Sequence, residues 1–102
     1  MARSRRYHPL VADDLTAAIA YYAAISPELG NRFRASIRSC FNAVTDRPEF
    51  FGIVHEHLRA ARLSRFPYVI LFEYVQDNDL IHVVGIFHAA SDRGRWFERS
   101  LG

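Results

Sequence analysis

Beyond Pro48 the hydrophobic pattern passes from a helical period to a two-fold one, and no other feature restricts the fold as much. Before that point Val11, Leu15, Ala18, Tyr22 and Ile25 recur at steps of four and three, giving a helix one buried stripe. Pro9 suits the first turn of this helix, and Asp13 and Asp14 complement its dipole. Ser26-Pro27-Glu28 then reads as an N-cap, a proline at the first helical position and an early acid, so a second helix begins almost where the first stops. Its stripe is Leu29, Phe33, Ile37, Cys40 or Phe41, and Val44, and Pro48 ends it. So short a joint implies an antiparallel helical hairpin.

After a loop over 49–54 the alternation becomes two-fold, in runs 57–65, 68–75 and 80–88 separated by Phe66-Pro67 and by Gln76-Asp77-Asn78-Asp79. Turns this short impose antiparallel pairing. Ser4 to His8 reads as a further short strand ahead of the helices. In the middle run Tyr68, Ile70, Phe72 and Tyr74 share one face and Val69, Leu71 and Val75 the other, so it is the central strand. The last run sets Ile81, Val83, Gly85 and Phe87 on one face against Leu80, His82, Val84, Ile86 and His88. The hairpin covers one sheet face and is expected to leave the second partly open for a partner. From Ser91, read as an N-cap, an amphipathic tail over 92–100 carries Arg93, Arg95, Trp96, Phe97 and Arg99, with the two aromatics docking it on the sheet. The expected architecture is α+β: an N-terminal helical hairpin packed on a small antiparallel β-sheet, with a short C-terminal tail helix. Residues 1–102, half of them hydrophobic, are expected to form a single domain.

The formal charge is +2, yet all 13 basic residues are arginine, so every cation is a planar fork suited to phosphate or carboxylate. Cys40 is alone, which excludes an internal disulfide and a cysteine zinc framework and makes a cytoplasmic setting the default. Tyr7-His8-Pro9 follows the basic N-terminal residues where a signal peptide needs an apolar stretch, and no run reaches transmembrane length. His55-Glu56-His57 puts two imidazoles on one strand face without a third ligand in register, so no metal site and no cofactor are expected.

The densest charge lies in Leu58-Arg59-Ala60-Ala61-Arg62-Leu63-Ser64-Arg65, just ahead of the central strand. Strand alternation puts Arg59 and Arg65 on one face and Arg62 on the other, unless a bulge intervenes. Such a load meets a polyanion, meets a carboxylate-rich partner, or solvates an edge strand against self-association.

The ordered set of elements and residues resembles the RelE/ParE superfamily of toxins from bacterial type II toxin–antitoxin modules, most closely the ParE-like, plasmid-stabilisation branch. The pieces are Ala12-Asp13-Asp14-Leu15 and Tyr21-Tyr22 in the first helix, Leu29-Gly30-Asn31-Arg32-Phe33 in the second, and the break at Pro48. Leu58-Arg59, Arg65-Phe66-Pro67-Tyr68, the strand Val69 to Tyr74, Ile86-Phe87-His88, and trailing Asp92 and Trp96 complete it. Many relatives carry an arginine three residues after the last-strand histidine, then Asp-Pro. Here Ser91 stands for that arginine and Arg93 for the proline, so Arg93 or Arg95 would have to restore the charge.

The resemblance implies a toxin held inactive by a cognate antitoxin, acidic and partly disordered, which lays an extended and partly helical segment across it. For the ParE branch it implies inhibition of a target protein such as DNA gyrase, and the leaning is toward a binder that is not an enzyme. The alternatives are a metal-free, ribosome-dependent endoribonuclease acting on mRNA, with Arg59, Arg65 and His88 catalytic, and a degenerate antitoxin-binding co-repressor. Operator DNA would be reached only indirectly, through the antitoxin. The expected target- or antitoxin-binding residues are Arg59, Arg62, Arg65, Tyr74, His88, Arg93, Arg95, Trp96 and Arg99.

Overall fold

A computed structural model describes residues 3–91 and 93–101, without the side chains of residues 100 and 101; Asp92 of the resemblance lies outside the described residues. In chain order the elements are β1 (Ser4–Tyr7), α1 (Val11–Ile25), α2 (Pro27–Asp46), a 3-10 turn (Pro48–Phe50) and β2 (Ile53–His55). Then follow β3 (Leu58–Arg62), β4 (Tyr68–Val75), a second 3-10 turn (Gln76–Asn78), β5 (Leu80–His88) and α3 (Arg93–Leu101).

The helical hairpin forms as its sequence pattern requires. Ser26 leaves helical geometry (φ −161°, ψ 147°), so it ends α1, and its Oγ accepts from the Leu29 N–H at 3.0 Å, so it also caps α2. Gly30 sets how closely the two helices approach: a Cβ there would lie 2.9 Å from the Ala23 Cβ and 3.0 Å from its Cα. The α2 stripe is buried from Phe33 to Val44 and partly buried at Leu29, whereas Ile25 of the α1 stripe is exposed at the tip of the hairpin.

The sheet order is β1-β5-β4-β3-β2. The hairpin carries the chain from β1 across one face to the far edge, and an antiparallel meander from β2 to β5 brings it back. β5 therefore ends beside β1, parallel to it, with Ser4 opposite Leu80 and Tyr7 opposite Val83. β2 was not expected as a strand; it pairs with β3 around a turn in which Glu56 has φ 51°. That turn places His55 in β2 and His57 in the connection, so the two imidazoles do not share a strand face.

Two expectations about side-chain direction are overturned. β3 stops at Arg62, because the Leu63 N–H bonds Tyr68 O at 3.0 Å and the chain turns through Arg65 at φ 71°. Arg65 therefore belongs to a turn and shares no strand face with Arg59. In β5 the register runs from Leu71 opposite Gly85 to Phe72 opposite Val83, leaving Val84 as an extra residue. This bulge reverses the alternation beyond it: Ile81, Val83 and Ile86 face the helices, while Val84 and Phe87 face away.

Both sheet faces are covered. The helical side holds Phe33, Val44, Ile70, Phe72, Ile81 and Val83, each fully buried. On the other side α3 lays Trp96, 2% exposed, against Leu58, Val69, Leu71 and Val84, so the face expected to be partly open is largely closed by the chain's own tail. The buried indole is satisfied: Trp96 Nε1 donates to Ser91 Oγ at 2.7 Å, and that hydroxyl donates to His88 O at 2.6 Å. No helix among the described residues is long and apolar enough to cross a membrane.

Candidate functional site

β1 ends before β5 does, so the outer edge of β5 from Val84 onward has no strand beside it. Asp14 of α1 takes that place. Its Oδ2 accepts from the Ile86 N–H at 3.1 Å and from Arg99 Nη1 at 2.6 Å, while Oδ1 accepts from Arg99 Nη2 at 3.2 Å. Arg99 Nη1 also reaches Val84 O at 3.5 Å, and the guanidinium lies 4.8 Å from the Phe87 ring centre. Arg99, expected among the partner-binding residues, is therefore committed to holding α3 against α1 and β5.

Above this pair lies an open cleft of about 430 Å³ bordered by Tyr21, Tyr68, His88, Ser91, Arg95 and Arg99. His88 Nδ1 accepts from the Ala90 N–H at 3.0 Å, which puts the proton of the neutral ring on Nε2. The ring meets Tyr68 edge-on at 5.2 Å. Burial, and then the neighbouring Tyr21, raise the Tyr68 phenol above its ordinary value and keep it a hydrogen-bond donor.

A larger groove of about 840 Å³ runs between α2 and the turn joining β3 to β4. Leu29, Cys40, Phe51 and Phe66 give it an apolar floor, and Arg32, Arg62 and Arg65 stand on its rim. Arg62 and Arg65 are exposed and meet no carboxylate among the described residues. Arg62 also borders a smaller hollow with Arg93, whose guanidinium sits 5.5 Å from the Trp96 ring centre.

The remaining expected site residues are dispersed. Arg59 points to the helical face, where Nη1 donates to Phe51 O at 2.7 Å. It is opposite Phe72, whereas His88 is opposite Tyr68. Four residues along the strand and two strand spacings put these backbones roughly 16 Å apart. Tyr74 lies at the other end of β4, its hydroxyl donating to Asp79 Oδ1 at 2.9 Å. Trp96 is core. His55 stacks on Phe97 with ring centres 4.1 Å apart, and the described residues contain no cluster of three or more potential metal ligands. Asp14 and Arg32, noted in the sequence only for the helix dipole and the family resemblance, were not expected as site residues, and nothing local marks Asp14 as the partner of a residue 85 positions away.

The fold is shared with solved toxin–antitoxin proteins. The chromosomal ParDE system from P. aeruginosa matches with a TM-score of 0.71 at 19% identity, over 84% of this chain and 95% of that one. The toxin–antitoxin complex RelBE2 from Mycobacterium tuberculosis matches with a TM-score of 0.58 at 14% identity, over 86% and 99%. At these identities the likeness is one of fold. No curated protein sequence matches the chain. The sequence profile described as "ParE toxin of type II toxin-antitoxin system, parDE" matches residues 5–93. The chain belongs to this ParE family and is the toxin of a type II toxin–antitoxin system.

Proposed function

We propose that this toxin works in the cytoplasm, is neutralised by a cognate antitoxin, and acts by binding a target protein such as DNA gyrase. The observation that carries this reading is the separation of Arg59 from His88. Metal-free RNA cleavage needs a base, an acid and a cation around one phosphate. Here Arg59 is tied to the Phe51 carbonyl, just ahead of β2, and Arg65 projects from a turn, so the three residues form no such cluster.

The antitoxin's place in this reading is the groove along α2. An apolar floor flanked by Arg32, Arg62 and Arg65 suits an amphipathic segment that is apolar on one side and acidic on the other. The second reading, a ribosome-dependent endoribonuclease, rests on the cleft in which His88, Tyr68 and Arg95 do meet.

Induced expression tests the proposal in cells. Growth arrest should appear when the toxin is made alone and disappear when the antitoxin encoded beside it is made too. The Arg62→Glu, Arg65→Glu variant should remain toxic and lose that rescue. Normal growth without antitoxin would overturn the reading, and full rescue of the variant would remove the groove from it.

A further inference from the structure

The second flank of α2 carries a cationic surface that neither the antitoxin groove nor the cleft uses. Residues are 100° apart around a helix, so Arg34 lies about 160° from Arg32 on the barrel of α2. Arg32 faces the groove beside β3, while Arg34 and Arg38 face α1 and β1. Arg5 joins them from β1: it is in register with Ile81, whose side chain faces the helices, so its own side chain emerges on the helical side of the sheet edge. The three arginines surround a shallow depression of about 300 Å³ floored by Leu15, Ile19, Ile37 and Phe41.

Three observations define what this surface takes. Its lining residues include no Asp or Glu, and Arg5, Arg34 and Arg38 meet no carboxylate among the described residues. Its donors form a row: Asn31, Arg34, Arg38 and Asn42 follow one another at steps of three, four and four along the flank, a span of about 16 Å. Its apolar floor is small: Leu15 and Ile19 are already packed against the core with only their edges reaching solvent, and Tyr7, half exposed beside the floor, is turned edge-on against Phe41 with ring centres 6.0 Å apart. A protein partner draws most of its affinity from large exposed side chains seated in pockets. A line of guanidinium and amide donors around so small an apolar floor matches a run of phosphates better than a protein surface.

We propose that Arg5, Arg34 and Arg38 form a contact surface for the phosphodiester backbone of duplex DNA, independent of sequence. Where the family resemblance implies contact with DNA only through the antitoxin, these residues give the toxin a contact of its own. Because the groove and the basic row lie on opposite flanks of α2, antitoxin and DNA can be held together. The proposal does not depend on the toxin's target.

The test is fluorescence anisotropy of a labelled 20-base-pair DNA duplex titrated with the full chain over a salt series. Three phosphate contacts predict a plot of log K against log salt with a slope of about −2.7. Arg34→Ala and Arg38→Ala should each weaken binding severalfold and lower that slope by about one, for every duplex sequence tried. Arg47→Ala, an equal charge change at the end of α2, should leave both unchanged. Unchanged urea midpoints would confirm that the exposed substitutions leave the fold intact. Absence of binding in low salt, or equal losses for Arg38→Ala and Arg47→Ala, would overturn the proposal. So would poly-L-glutamate displacing the duplex at equal charge concentration, which would assign the surface to an acidic protein.

Discussion

Asp14 and Arg99, 85 residues apart in sequence, close the uncovered edge of β5 with a two-point ion pair of 2.6 and 3.2 Å. Their side chains are only 14% and 15% exposed, and the carboxylate also accepts the Ile86 N–H that lost its strand neighbour. Removing one partner of such a pair leaves the other charge poorly solvated. Arg99→Ala should therefore cost about 2–3 kcal/mol in urea unfolding. Asp14→Asn, which keeps an acceptor for Ile86, should cost less than Asp14→Ala.

Trp96 is the keystone of the second core. Truncating a buried tryptophan costs about 3–5 kcal/mol, and here it also frees the Ser91 hydroxyl from the indole. Trp96→Ala should release α3 from the sheet before the rest unfolds. Amide exchange should rise first in residues 93–101 and in β5 beyond Val84, with the helical hairpin still protected.

Gly30→Ala tests how tightly the hairpin is packed. The added methyl meets the Ala23 Cβ and backbone, neither of which can rotate aside, so the helices must separate. Overpacking of this kind costs about 1–3 kcal/mol. Ala23→Gly in the same chain should recover part of it, and a loss that is strictly additive would show that the two residues are not in conflict.

Stability should fall in alkali. Burial pushes the Cys40 thiol from 9.0 up to about 11, so the folded chain holds this proton more tightly than the unfolded one. The contribution is complete below pH 9, declines as the unfolded chain alone ionises, and is lost once pH passes about 11. Two units correspond to at most about 2–3 kcal/mol. Tyr22 and Tyr68, also raised by burial, act in the same direction. Cys40→Ala isolates the thiol: the stability difference between wild type and variant should shrink between about pH 8 and 11.

What could be read from the sequence was set by local pattern. The Ser26 cap, the α2 stripe, the two-sided β4 and the docking of Trp96 all follow from periodicity and end signals that neighbouring residues supply. The Val84 bulge does not, because nothing in a run of apolar residues tells which one is extra until the partner strand is in register. Arg65 left its expected strand face for a related reason: the turn formed by Leu63 and Tyr68 ends β3 early. The parallel pairing of β1 with β5 and the Asp14–Arg99 pair depend on the closed topology alone. The arginines were visible individually, but only the fold sorts Arg32, Arg62 and Arg65 to one flank of α2 and Arg34 and Arg38 to the other.

The central claim, a toxin that binds its target and does not cut RNA, is tested most directly by two parallel assays of the purified protein. One follows DNA supercoiling by gyrase and the other follows message integrity on translating ribosomes. The account predicts arrested supercoiling with intact messages. Cleaved messages beside fully active gyrase would contradict it and move the function to the His88 cleft.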